Sequence, residues 1–303
     1  DPSDEIMITV GGSEAIDGAL RAMLDVGDEV ILPQPSYVSY EPCIVLADGV
    51  PVIVELKEEN DFKLTREQLE KAVTDKTKIL IMPFPNNPTG AIMTKEELQP
   101  IVDFVIEHDL FVISDEIYSE LTYSGNHVSI GAFPGMKERT IVINGFSKSY
   151  AMTGWRLGYA IAPENIMARI RQYHDFNAVG CPSPLMEAAV VGLNMPLSYY
   201  DEFGAHYAHM KKIFTEGMRD IGIPFTDPEG TYFVLADISP YLKKGQSDVD
   251  FCEQLARKAG VGAVPGSSFF NEPINNIVRL HFAKKDETLY AALDRLNHIK
   301  DMM

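Results

Sequence analysis

Gly145-Phe146-Ser147-Lys148-Ser149-Tyr150-Ala151-Met152-Thr153-Gly154-Trp155-Arg156 follows a β-branched run, Thr140-Ile141-Val142-Ile143. The run reads as a buried strand, so the segment begins where a strand of a parallel sheet ends, the place where open α/β sheets put their chemistry. Lys148 lies between two hydroxyl residues, and Arg156 follows beyond a Thr153-Gly154 turn signal. One amine and one guanidinium are thereby offered to the same pocket. Taken singly, each would pass for a solvated surface cation.

Upstream, Glu5 to Val10 reads as a strand, and Gly11-Gly12-Ser13 opens a helical pattern with apolar residues at Ile16, Ala19, Leu20, Met23 and Leu24. Glycines ahead of a helix N-terminus leave backbone N–H groups and a positive dipole end for a phosphate. By itself the string is an ordinary strand-to-helix turn capped by Ser13. Glu29 to Leu32 is a second strand, ending in Pro33-Gln34-Pro35-Ser36-Tyr37-Val38-Ser39-Tyr40, and a third lies around Val52 to Val54. A helix from about Thr65 to Val73 precedes a continuous apolar strand, Lys78 to Phe84, that ends in Pro85-Asn86-Asn87-Pro88-Thr89-Gly90. After a helix from about Lys95 to His108 the run Leu110 to Ser114 leads to Asp115-Glu116-Ile117-Tyr118. An acidic residue closing a buried strand is costly without a partner.

Downstream, Leu157 to Ala162 reads as a strand, with helices over Pro163 to His174 and Pro184 to Asn194. Met195-Pro196 breaks the pattern, and a long helix from about Tyr199 to Ile221 links to a smaller part of the chain. There the strands Tyr232 to Ala236, Val261 to Val264 and Ile277 to Ala283 alternate with helices Val249 to Ala259 and Glu287 to Ile299, an α+β layer. Val278-Arg279-Leu280-His281-Phe282 alternates like a half-buried strand. No internal repeat or low-complexity segment is present.

The 303 residues suffice for a large domain and a smaller one. Lys and Arg number 26 against 44 Asp and Glu, a formal charge of −18, which disfavours nucleic acid and anionic membranes as partners. Cys43, Cys181 and Cys252 are far apart, odd in number and without C-x-x-C spacing, so neither a disulfide framework nor a metal site is expected and a reducing, cytoplasmic setting fits. No apolar run approaches membrane-spanning length, and no signal peptide opens the chain.

The strings G-F-S-K-S-Y-A-M-T-G-W-R, N-N-P-T-G, G-G-S-E-A-I, P-S-Y-V-S-Y and S-D-E-I-Y resemble the class I/II aminotransferases, fold-type I enzymes that use pyridoxal 5'-phosphate (PLP). The resemblance runs from about Glu5 to the C-terminus. It implies an α/β fold with a mostly parallel central sheet sandwiched by helices, plus a smaller C-terminal α+β domain. Residues 1–195 would form the large PLP-binding domain, and residues 196–303 the linker helix and small domain.

By that resemblance Lys148 carries PLP as a Schiff base and then serves as the base that moves the substrate Cα proton. Arg156, Ser147 and the segment Gly12, Ser13 and Glu14 hold the phosphate. Tyr37 stacks on the pyridine ring, Asp115 pairs with its nitrogen, and Asn87 and Tyr118 reach the phenolic oxygen. Arg279 grips the substrate α-carboxylate in a bidentate fork that lysine cannot reproduce, with Asn87 and Tyr232 lining the substrate pocket.

The implied function is transfer of the amino group of an aspartate-, aromatic- or N-acetyl-diaminopimelate-like amino acid to a 2-oxo acid, in a homodimer. A PLP-dependent carbon–sulfur β-lyase and the aminotransferase-like ligand-sensing domain of a transcription regulator are the alternatives. Two departures stand out. Gly145 replaces a Ser or Thr that contacts the phosphate in many relatives. The chain also lacks the usual segment before G-G-S, which contributes to the small domain, a dimer arm and a tyrosine offered to the partner's phosphate.

Overall fold

The computed structural model describes residues 1–302. Seven strands form the main sheet: β1 (Ile6–Thr9), β2 (Glu29–Gln34), β3 (Val50–Glu55), β4 (Thr77–Met82), β5 (Phe111–Asp115), β6 (Thr140–Gly145) and β7 (Gly158–Ile161), in the spatial order β1-β7-β6-β5-β4-β2-β3. The pairs from β3 across to β6 are parallel, whereas β7 runs antiparallel to both β6 and β1. The chain turns from building outward at β3 to building inward at β4, and this reversal opens a crevice at the carboxyl ends of β2, β4, β5 and β6.

The sheet is buried on both faces, and alternation along each strand decides which residue meets which layer. Ile79 and Ile81 join Ile113, Ile141 and Ile143 under helices α1 (Gly11–Met23), α2 (Tyr40–Leu46) and α6 (Glu164–Asn177). Leu80 and Met82 join Val112 on the opposite face, under α3 (Arg66–Ala72) and α4 (Lys95–Glu107). Both α3 and α4 start at a capping box, Thr65 with Gln68 and Thr94 with Glu97, which satisfies the orphan N–H groups of their first turns. Between β6 and β7 lies a single helical turn, α5 (Phe146–Ser149).

Beyond α7 (Ser183–Leu193) the 23-residue α8 (Ser198–Asp220) leads to an antiparallel sheet of β8 (Phe225–Thr226), β9 (Phe233–Asp237), β10 (Val264–Pro265) and β11 (Ile277–His281), ordered β10-β11-β9-β8. Its core joins Val234, Ala236, Val278 and Leu280 to Met210, Phe214 and Met218 of α8 and to Leu289, Leu293 and Leu296 of α10 (Asp286–Asn297). The expected strand over 261–264 is shorter and later: pairing is confined to Val264 and Pro265. The helix expected over 249–259 is α9 (Asp248–Gln254) continued by a π-helical turn, Leu255–Ala259, that stops at Gly260 in the left-handed region. Among the described residues no helix is long and apolar enough to cross a membrane.

Candidate active site

Three glycines let the main chain close up beneath the crevice. A Cβ on Gly158 would stand 2.7 Å from the backbone of Gly11 and Gly12, and one on Gly145 would stand 2.8 Å from Gly158 Cα. β6, β7 and the start of α1 therefore meet backbone to backbone. The absence of a hydroxyl at Gly145 has this packing as its counterpart. Gly11, at φ +75°, leaves room for the Arg156 guanidinium, since a Cβ there would lie 2.5 Å from Nη2. Arg156 itself sits in the left-handed region at φ 56°, an uncommon place for a residue other than glycine, and its Nη1 donates to Thr153 O at 2.9 Å. Thr153 in turn donates to Ser147 O at 2.8 Å, closing the loop around Lys148.

These elements wall a cavity of about 460 Å³ lined by Gly12, Ser13, Tyr37, Asn87, Asp115, Tyr118, Ser147, Lys148, Arg156, Tyr232 and Arg279, together with Ile16, Tyr40, Pro83, Pro85, Ile117, Thr153, Phe233 and His281. The strand ends of the main sheet supply the first group up to Arg156, and β11 with the residue before β9 supplies the rest. Of the residues singled out in the sequence only Glu14 lies outside the lining. Its carboxylate turns back into the protein, accepting Val10 N–H at 2.5 Å and lying 2.6 Å from His174 Nδ1.

Lys148 Nζ donates to the Tyr232 hydroxyl at 2.9 Å and stands 5.5 Å from the ring centres of both Tyr118 and Tyr232. Asp115, 8% exposed, accepts from the Tyr40 hydroxyl at 2.6 Å and from Ile117 N–H at 3.1 Å. Burial pushes its carboxyl above the usual range, and these two donors partly oppose the rise. Burial likewise raises the Tyr40 and Tyr118 hydroxyls well above the ordinary tyrosine value, so both are donors at neutral pH.

Arg279 donates to Asn87 Oδ1 at 2.6 Å, and its guanidinium lies 4.1 Å from the Phe233 ring centre and 4.8 Å from that of Phe269. The two rings fix the plane of the fork. Asn86 shapes the turn that presents Asn87: buried, it donates to Pro35 O and accepts from Thr89. His281, two residues after Arg279 and hence on the same strand face, also reaches the cavity. Partial burial and the cations of Lys284 and Arg279 hold its imidazole below the usual histidine value.

A family model described as aminotransferase class I and II matches residues 1–296. The chain belongs to the class I and II aminotransferases. It is 40% identical to the aromatic-amino-acid aminotransferase 2 of Thermococcus litoralis, over 99% of this chain and 77% of the relative. Against the probable N-acetyl-LL-diaminopimelate aminotransferase of Bacillus subtilis the identity is also 40%, covering 98% and 74%. The crystal structure of the aromatic aminotransferase from Pyrococcus horikoshii superposes with a TM-score of 0.93 at 39% identity, covering 99% of this chain and 80% of that one. The chain is thus a transaminase of a PLP-dependent family.

The aminotransferase cavity suits that cofactor. Among the described residues Lys148, Arg156 and Arg279 have no carboxylate within ion-pair distance, in a chain whose net charge is −18. Beside them stand the glycine-lined start of α1 and a single buried carboxylate, Asp115. This arrangement is complementary to a dianionic phosphate, a carboxylate and a protonatable ring nitrogen.

Eight lining residues lie outside the expected site, and four of them bring a polar or aromatic group: Tyr40, Thr153, Phe233 and His281. The first had a signal, because Tyr40 stands three residues after Tyr37, across the turn that opens α2, where its N–H donates to Tyr37 O at 3.2 Å. Thr153 carries only a turn signal in the sequence. Phe233 and His281 enter through the pairing of β9 with β11, which no local string announces.

Proposed function

We propose that this aminotransferase carries PLP in the cavity on Lys148 and moves the amino group of an aspartate-, aromatic- or N-acetyl-diaminopimelate-like amino acid to a 2-oxo acid. The observation that carries the reading is the convergence of Lys148, Asp115 and Arg279 on one cavity from two different sheets. Bound PLP supplies an electron sink that makes the substrate Cα–H bond acidic. Lys148 Nζ, steadied by the Tyr232 hydroxyl, takes the Cα proton and returns it. Asp115 holds a proton at the ring nitrogen. Asn87 Oδ1 is taken by Arg279, which leaves its NH₂ for the phenolic oxygen beside the Tyr118 hydroxyl.

Arg156, Ser147 and the free amides of Gly12 and Ser13 hold the phosphate, and Tyr37 covers a ring face. Arg279 orients the α-carboxylate, so that the Cα–H bond is presented in the geometry the proton transfer needs. In this reading residues 1–195 form the cofactor-binding domain and residues 196–303 the linker helix and small domain.

A homodimer in the cytoplasm completes the proposal. Its support is α7, whose Val191 and Leu193 are 67% and 60% exposed, with Leu197 just beyond it at 83%. So apolar a surface fits a partner subunit. The free cysteines fit a reducing compartment.

The test is the absorption spectrum of the chain with added PLP. The cofactor band should shift on addition of L-aspartate, L-glutamate or L-phenylalanine, return with a 2-oxo acid, and fail to form in Lys148→Ala. A band that forms but answers to no amino acid overturns the transaminase assignment of this site. Release of pyruvate and ammonia from cystathionine without any 2-oxo acid would point to the lyase instead.

A further inference from the structure

Glu14 is the fourth residue of α1, and its side chain is one-tenth exposed. Acidic residues in a first helical turn ordinarily face solvent and complement the dipole. Here the two carboxylate oxygens have separate partners. Oε2 accepts Val10 N–H at 2.5 Å, a contact with the N-cap residue, which has no side-chain cap of its own. Oε1 lies 2.6 Å from Nδ1 of His174, a residue of the last turn of α6 that is 6% exposed. The first four N–H groups of a helix lack intrahelical partners. With that of Val10 taken by Glu14, those of Gly11, Gly12 and Ser13 remain, and Gly12 and Ser13 line the cavity.

The same helix pair is tied again one turn further on, where Tyr173 donates to Asp17 at 2.8 Å and its ring lies over Gly18. α1 is thus clamped along its length to α6, with the Glu14–His174 contact at the end nearest the cavity. Neither residue lines the cavity.

We propose that Glu14 and His174 are a positioning pair that fixes the first turn of α1 and so sets how tightly the backbone amides of Gly12 and Ser13 hold the cofactor phosphate. The inference rests on the reading that this cavity binds PLP. It concerns only the phosphate end, because the pair reaches no other part of the cavity. Glu14→Gln retains an acceptor for Val10 N–H and a polar group for His174, whereas Glu14→Ala retains neither.

The experiment compares the binding of PLP and of pyridoxal, which lacks the phosphate, to the wild-type chain and to Glu14→Ala, Glu14→Gln and His174→Asn, by absorbance titration. Protection against thermal unfolding by inorganic phosphate is measured alongside. Glu14→Ala should weaken PLP about tenfold, the equivalent of one charge-assisted hydrogen bond, with pyridoxal binding unchanged and phosphate protection lost. Glu14→Gln should recover most of the affinity. Equal weakening of PLP and pyridoxal, or no weakening of either, overturns the inference and leaves the pair a structural contact. Should Glu14→Ala not fold, His174→Asn carries the same comparison and the same two outcomes. Failure of the wild-type chain itself to bind PLP would instead reject the reading of the cavity.

Discussion

Tyr40 donates its hydroxyl to Asp115 across 75 residues of sequence. Burial raises the Asp115 carboxyl, and Tyr40 is the strongest of the groups that pull it back. Tyr40→Phe leaves burial less opposed, so the carboxyl keeps its proton to higher pH. The acidic limb of the kcat/KM profile should move upward by about one pH unit, the size of one hydrogen bond to a charged group. A limb that stays in place rejects the coupling. Because the folded carboxyl sits above its unfolded value, Asp115 favours folding below the ordinary carboxyl range, and that contribution fades as pH rises through the raised value. Lys148, Asn87 and Asp115 could be picked out from the sequence because each stands just after a strand whose apolar run is unmistakable. Tyr40 was passed over because its role depends on a partner that no nearby residue betrays. Glu14 shows the opposite case: its place beside the glycines that open α1 suggests a part in the cavity, while its side chain faces α6.

The elements were most legible where periodicity was long. The runs 78–84 and 110–114 and the helices α4 and α8 differ from expectation only at their ends. Short pieces were not: the two-residue β8 and the one-turn α5 have too few residues for any period, and the π turn after α9 has no signature in the sequence pattern. The antiparallel β7 also has no local signature. Yet its Gly158 is tightly constrained in the crevice wall, since a Cβ would press on the backbone of Gly11 and Gly12 on one side and of Asn144 on the other. Gly158→Ala should cost about 1–3 kcal/mol of stability and weaken cofactor binding, because α1 must back away. Gly154→Ala, where a Cβ meets nothing within 4 Å, is the matched control and should be nearly neutral in a denaturant titration. Equal effects at the two positions would refute the close-packing account.

For the whole molecule, the exposed apolar face of α7 leads to a prediction about assembly. Val191→Glu places a charge where a partner subunit would desolvate it, and should weaken association by about tenfold or more while leaving the far-UV circular dichroism unchanged. Sedimentation velocity over a concentration series reads the result. A wild-type chain that stays monomeric at the highest concentration rejects the dimer. The cavity belongs to the whole chain in another sense. Its contacts join Lys148 to Tyr232 over 84 residues and Asn87 to Arg279 over 192. A ribosome delivers the lysine, the aspartate and the glycine cradle long before β11 leaves the exit tunnel. A nascent or prematurely ended chain therefore carries the Lys148 wall of the cavity without the Arg279 wall, and the last strand of the small sheet closes it.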